Sequence, residues 1–269
     1  MEPKQKGIFH VEFTNKKVSI LLVDDNRVNQ FLGKRILQNL GISVVDIAGD
    51  GISAFECVKN NFYDVLLTDV EMPGMNGYEL SKAIRSYEND ESHITIIALT
   101  ANASEEDREL AKDAGIDDYL TKPYSPQDLQ EILLKHLSKT DRMIMEDFGS
   151  VKVSSSSDAM QHLYTILNHN KDDVRHFLHM LSGQIPILTS EIKTGILNSN
   201  WEQAFQSAHK LKSPVKMLAG SILENQLNDL TEQLKEKRNT ETALVNFENI
   251  APAIESLLVL VNRELESLM

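Results

Sequence analysis

Five short apolar runs, each followed by an amphipathic stretch of helical length, occupy residues 17–139 and leave few folds open. The runs cover residues 18–23, 43–48, 65–68, 94–99 and 118–120; the stretches cover 27–40, 51–60, 77–87, 105–114 and 126–138. Near-continuous rather than alternating apolarity marks strands buried on both faces, as in a parallel sheet. Gly41, Gly49, Gly115 and the segment 72–77 punctuate the connections. Five successive strand–helix units predict an α/β, doubly wound, five-stranded parallel sheet. Such sheets carry their sites just beyond the carboxyl ends of the strands.

The rhythm changes near residue 141. Strand signals stop, and four serines in a row at 154–157 read as linker or helix-cap material. Helical patterns follow at 159–168, 171–197, 200–218, 221–237 and 240–267, with short breaks between them. Long amphipathic helices joined by short loops predict an all-α antiparallel bundle. The expected organisation is a leader at 1–16, a first domain at 17–140, a linker at 141–158 and a bundle at 159–269. A chain of 269 residues suits two domains.

A net charge of −13, divided as about −8 over residues 1–140 and about −5 over 141–269, gives neither half a basic footprint. Nucleic acid is therefore not an expected partner. The single cysteine, Cys57, forms no internal disulfide and suits a reducing cytosol. No stretch approaches the roughly 18 apolar residues of a membrane span. The opening MEPKQKGIFHVEF lacks the apolar core of a signal peptide. These features predict a soluble, cytoplasmic chain without membrane contact.

The strand ends carry the chemistry. The first run, VSILLV, leads into Asp24-Asp25-Asn26; the third ends at Asp69, the fourth at Thr100 and the fifth at Lys122-Pro123. In a doubly wound sheet these ends converge, bringing three carboxylates, a hydroxyl and an ammonium into one pocket. Crowded carboxylates repel one another unless a cation sits among them, and oxygen-only ligands suit Mg²⁺. Asp69 then serves as a carboxylate nucleophile toward a phosphoryl donor, giving an acyl phosphate. Mg²⁺ and Lys122 neutralise charge on the phosphoryl oxygens, and Thr100 donates a hydrogen bond to one of them. Taken alone, Asp-Asp-Asn after a strand reads equally as a helix cap, and Lys-Pro is nearly uninformative. The conjunction of four strand ends is what points to a site.

ILLVDDNRVNQ, LLTDVEMPGMNGYEL, IIALTA and DYLTKPY, in that order, resemble the response-regulator receiver family over residues 17–139. The resemblance implies a flavodoxin-like receiver with Asp69 as phosphoacceptor. It implies Mg²⁺ held by Asp24 and Asp25, Asp25 directly, with the Glu71 backbone carbonyl as a further ligand beside Asp69. Thr100 and Lys122 contact the phosphoryl group. Tyr119 matches the aromatic whose inward or outward rotamer reports phosphorylation, a bistable element biased by one new charge. The plain alternative is a fixed, half-buried strand residue. The family varies at Glu71, and an acidic side chain near the attacking-water path predicts an altered acyl-phosphate lifetime.

The chain has eight histidines. His162, His169, His176 and His179 read as helix-surface or helix-end residues; the i, i+3 pair His176/His179 lacks a carboxylate partner for a metal site. His209 differs in its setting, WEQAFQSAHKLKSPVKMLAG. Ala204, Ala208, Leu211, Val215 and Leu218 recur at spacings that make a core stripe. His209 lies off it, on a flank with Phe205, Lys212 and Lys216, and is predicted to be exposed beside ammonium groups. An exposed imidazole accepts a phosphoryl group through a ring nitrogen, and nearby lysines stabilise the arriving charge. AHKLKS within a bundle resembles the histidine-containing phosphotransfer (HPt) domain. That resemblance implies His209 as phosphoacceptor, with Lys210 and Lys212 as flanking basic residues. The family commonly has glycine four positions after the histidine; here Ser213 stands there. Pro214 follows, removes a hydrogen bond to the Lys210 carbonyl and predicts a kink.

Together these features predict a phosphorelay segment. A histidine kinase is the donor to Asp69, His209 is the next acceptor, and a separate response regulator receives the group last. The sequence contains no glycine-rich ATP-binding box, no H-E-x-x-x-P helix and no GxxxxGK loop, so the first phosphohistidine is expected to come from elsewhere. The order of parts resembles the C-terminal part of a hybrid sensor kinase, and KGIFHVEF resembles the closing strand of a kinase ATP-binding domain. Two other readings stand beside this one. In the first, a working receiver controls a degenerate bundle that dimerises or binds a partner. In the second, the aspartates serve a Mg²⁺-dependent phosphatase, which ordinarily pairs its nucleophile with an acid two residues later on the first strand.

Overall fold

A computed structural model describes residues 18–88, 93–100, 105–137, 156–219, 221–237 and 239–268. The expected leader, the KGIFHVEF segment and most of the 141–158 linker lie outside the described residues. Two compact units, Met1–Met143 and Ile144–Met269, make up the chain, and each stands by itself.

In the first unit, five parallel strands form one sheet: β1 (Ser19–Val23), β2 (Val44–Ala48), β3 (Val65–Asp69), β4 (Thr95–Thr100) and β5 (Asp118–Thr121). Their order is β2-β1-β3-β4-β5. Flanking them are α1 (Arg27–Asn39), α2 (Gly51–Asn60), α3 (Gly77–Tyr87), α4 (Glu105–Asp113) and α5 (Pro126–Leu137). Central strand β3 is buried at every position, which explains its unbroken apolar run. Leu21, Val23, Leu66 and Ile96 pack with Ala54, Leu80 and Ile84 from α2 and α3. Leu22, alternating with Leu21 and Val23, meets α1, where a Cβ on Gly33 would lie 2.9 Å from the Leu22 Cδ2.

Three strands run one residue past their apolar runs: β3 to Asp69, β4 to Thr100 and β5 to Thr121. Asp69 pairs with Leu99 and Thr100 with Thr121 in the ladder. Backbone pairing, not apolarity, sets where a strand stops, so these polar residues are anchored by the sheet. Beyond β3 the chain turns through 72–76 into α3, whose start has a capping box between Asn76 and Glu79.

At the opposite end of the sheet, α5 is tied to β5. Lys135 Nζ lies 2.6 Å and His136 Nε2 2.8 Å from Asp118 Oδ2. Burial pushes the Asp118 carboxyl up, but hydrogen bonds from Lys135, His136 and the Tyr119 N–H outweigh it and hold the group below its ordinary value. A depressed carboxyl stabilises the fold above its unfolded pKa of about 3.9, and the contribution is lost as pH falls through the lower folded value. Asp118→Asn is therefore expected to lower stability at neutral pH by up to about 1 kcal/mol, screening included. Denaturant titrations should show variant and wild type converging as pH falls through the lowered folded value of Asp118.

The second unit is helical throughout its described residues: α6 (Ser156–Ile166), α7 (Lys171–Leu197), α8 (Trp201–Leu218), α9 (Ser221–Lys235) and α10 (Thr240–Ser267). Helices α7, α8, α9 and α10 pack in a closed ring of neighbours, with α6 against α7 and α8. The stripe Ala204, Ala208, Leu211, Val215 and Leu218 on α8 is buried as expected. Also buried are Phe177, Leu181, Ile185 and Ile192 of α7 and Phe247, Ile250, Ile254 and Leu257 of α10. Apolar spacings of three and four are those of bundle seams. Gly195 lets α7 and α8 close near their turn, since a Cβ there would lie 2.9 Å from Ala204.

Two sequence expectations for this unit are corrected. α6 begins at Ser156, inside the expected linker, and ends before Asn168 and His169, whose φ angles are 52° and 54°. α8 runs from Trp201 to Leu218, close to the expected 200–218, with Pro214 inside it and buried. α10 is long and apolar enough to cross a membrane by length and mean hydropathy, although no unbroken apolar run announces it. Its core-facing stripe packs against α7 and α9, and Glu248 and Glu255 interrupt its outer side.

Candidate functional site

The helix-cap reading of Asp24-Asp25-Asn26 holds. Asn26 is the N-cap of α1, its side chain accepting from the Val28 N–H at 3.0 Å. That cap turns the chain so that Asp24 points back over the sheet, 1 % exposed. Asp24 Oδ1 accepts from the Asn26 N–H at 2.9 Å, and the Asn29 amide donates at 3.1 and 3.2 Å to Oδ1 and Oδ2. The Gln30 amide donates to the Asp24 carbonyl at 2.6 Å. At the end of β3, Asp69 is 3 % exposed, and its Oδ1 accepts from the Glu71 N–H at 3.2 Å. Gly77 closes against this point: a Cβ there would lie 2.4 Å from the Asp69 carbonyl oxygen, so only glycine fits.

Lys122 joins the two acids. Its Nζ donates to Asp24 Oδ2 at 2.6 Å and to Asp69 Oδ2 at 2.7 Å, and its N–H donates to the Thr100 carbonyl at 2.7 Å. Burial raises the Asp24 carboxyl; Lys122 opposes this and the Asp69 charge reinforces it, with the net direction upward. Burial alone would pull the Lys122 ammonium down, but Asp24 and Asp69 outweigh it and hold it above the ordinary lysine value. The ammonium is thus firmly charged, and the acids share it. Asp24, Asp25 and Asp69 each offer a carboxylate oxygen, all within 4.8 Å of one another. A hard, all-oxygen trio beside a single ammonium keeps excess negative charge and fits a small divalent cation such as Mg²⁺.

Thr100 and Tyr119 meet at one cleft, lined also by Val70, Tyr78, Ala98, Asp107, Arg108 and Ala111. The Arg108 guanidinium stands 5.1 Å from the Tyr119 ring centroid, and the tyrosine is half-buried. The Glu71 side chain is exposed, while its backbone N–H serves Asp69. Asn29, Gln30 and Arg108 have no assigned role in the sequence reading. DDNRVNQ contains the first two, but their contacts with Asp24 appear only once α1 is folded onto β1.

In the second unit, His209, Lys210, Lys212, Ser213 and Lys216 of α8 are all half-buried. The expected exposure of His209 is therefore corrected. Its ring is shielded by Phe205, one turn earlier, with centroids 6.1 Å apart. His176 and His179 are exposed, and among the described residues they belong to no metal-ligating group.

Residues 20–134 match the model of the response regulator receiver domain. The chain is 40 % identical over 118 residues to the sensor protein GacS of Pseudomonas syringae pv. syringae, covering 43 % of this chain and 13 % of that protein. It is 38 % identical over 136 residues to hybrid signal transduction histidine kinase B of Dictyostelium discoideum, covering 46 % of this chain and 7 % of that one. The chain thus spans a small part of these kinases. Against chemotaxis protein CheY-3 of Vibrio cholerae it is 36 % identical over 121 residues, covering 45 % of this chain and 92 % of CheY-3. A solved receiver domain of sensor histidine kinase PA1611 from Pseudomonas aeruginosa, with a magnesium ion coordinated in its active site cleft, is 40 % identical. The match covers 46 % of this chain and all of that one, at a TM-score of 0.43. The acidic trio with its bridging lysine, the strand order and near-complete coverage of CheY-3 lead to one assignment: through residues 20–134, the chain belongs to the response regulator receiver family.

Proposed function

We propose that this chain is a phosphorelay segment in which Asp69 accepts a phosphoryl group from the phosphohistidine of a kinase and His209 exchanges it with a separate receiver. The observation that carries this is Lys122 Nζ bridging Asp24 and Asp69 at 2.6 and 2.7 Å, beside a third carboxylate. An Asp69 oxygen attacks phosphorus, the donor P–N bond breaks, and the electron pair returns to the donor imidazole. Lys122 neutralises charge arriving on the phosphoryl oxygens, and the Thr100 hydroxyl donates to one of them. Asp24, Asp25 and Asp69, with the Glu71 carbonyl as a further ligand, would hold Mg²⁺, which would supply additional charge neutralisation there. Tyr119 then follows Thr100, leaving or keeping its contact with Arg108 according to the state of Asp69.

The onward step needs an imidazole nitrogen and nearby cations. His209 on the bundle, followed by Lys210 and Lys212, supplies them in its sequence neighbourhood. Its nitrogen forms the N–P bond as the acyl P–O bond breaks, restoring the Asp69 carboxylate. Both linkages are high in energy, so partners set the direction. An ATP-consuming donor puts this chemistry in the cytosol. Pro214, buried five residues beyond His209, favours one other reading: a bundle that has lost transfer and serves as a docking or dimerising scaffold. A chase separates the two. Chain labelled by a histidine kinase, then mixed with a second receiver domain, is expected to lose its label in wild type and keep it in His209→Ala. Equal transfer from both would favour the scaffold.

A further inference from the structure

The rings of Phe205 and His209 stand one turn apart on α8, with centroids 6.1 Å apart and planes tilted by 34°. Helical side chains lean toward the N-terminus, so residue i+4 reaches back over residue i. The imidazole therefore leans back beside the Phe205 ring along the helix. In this pose Nδ1 is shielded from solvent, while the residue as a whole stays half-buried. The accessible edge of the ring is then the one that carries Nε2.

We propose that Phe205 is a positioning residue for phosphoryl transfer at His209, holding the imidazole with Nδ1 inward so that Nε2 alone meets the donor; this rests on the relay reading given above. A mobile imidazole offers either nitrogen, depending on tautomer. In a ring held with Nδ1 inward, the tautomer protonated on Nδ1 presents the Nε2 lone pair outward. With phosphoramidate as donor, that lone pair forms the Nε2–P bond while the P–N bond of the donor breaks. Ammonia leaves after protonation by solvent, and Nδ1 keeps its proton. Without the aromatic face, the His209 side chain reaches other staggered rotamers that present Nδ1 as well.

The test uses the full chain labelled with ¹⁵N-histidine, phosphoramidate and Mg²⁺, with ¹H–¹⁵N spectra to tell Nδ1 from Nε2 adducts. His209→Ala identifies the signals that belong to this histidine among the eight in the chain. Wild type and Phe205→Tyr, which keeps the ring, are expected to give the Nε2 adduct alone. Phe205→Ala and Phe205→Leu are expected to give a mixture with the Nδ1 adduct, at an initial rate about tenfold lower. Leucine keeps apolar bulk on α8, so a folding defect in the alanine variant leaves the question answerable. An unchanged Nε2-only adduct in the leucine variant overturns the role of Phe205 and leaves the relay standing. An Nδ1 adduct in wild type also overturns it. No adduct on His209 in wild type overturns both the relay and the positioning role.

Discussion

Asp69→Asn is expected to abolish acyl-phosphate formation, lowering the rate by about 100-fold or more, while the receiver unit stays folded. The amide is nearly the size of the carboxylate, and its oxygen still accepts from the Glu71 N–H. Lys122 keeps its second partner, Asp24, at 2.6 Å. What disappears is the anionic oxygen that attacks phosphorus, since an amide is a poor nucleophile. Labelled acetyl phosphate with Mg²⁺ measures the loss, and circular dichroism checks the fold. Alkali-labile label on the variant at the wild-type rate would mean that another carboxylate, with Asp24 and Asp25 the nearest, is the acceptor.

Lys122→Met should cost about 3–5 kcal/mol of stability in the absence of divalent cations, because it leaves buried Asp24 and Asp69 facing one another without their shared counter-charge. A cation bound by the trio should return part of that loss by mass action, since only the folded state assembles the site. Urea titrations with and without Mg²⁺ test both halves. The variant is expected to gain more from Mg²⁺ than wild type, where Lys122 already occupies the acids. A loss below about 1 kcal/mol, insensitive to Mg²⁺, would show that Lys122 is not the counter-ion of these carboxylates.

Much of this architecture is legible in the residues themselves. VLLTD announces a strand buried on both faces, and the 4, 3, 4, 3 spacing of Ala204 to Leu218 announces a core stripe, because burial writes periodicity directly into composition. Strand ends are less legible: Asp69 and Thr100 are polar, yet ladder pairing keeps them in β3 and β4. Asn29 is invisible as a partner of Asp24, since a contact across five residues depends on how Asn26 caps α1. The half-burial of His209 escapes the helical-wheel reading for a similar reason. A wheel gives direction around the helix axis but omits the lean along it, and that lean brings the imidazole onto Phe205. α10 shows the converse: scattered Asn and Glu break its apolar run in sequence, while its mean hydropathy stays high enough to span a membrane.

The relay is tested most directly by the chemistry of the label itself. Wild type, Asp69→Ala and His209→Ala are incubated with Mg²⁺, ATP and a histidine kinase, and the label is sorted by acid and alkali stability. The account predicts acyl phosphate and phosphohistidine on wild type, acyl phosphate alone on His209→Ala and no label on Asp69→Ala. Acyl phosphate alone on wild type, matched by His209→Ala, would contradict it and leave the bundle as a scaffold beneath a working receiver.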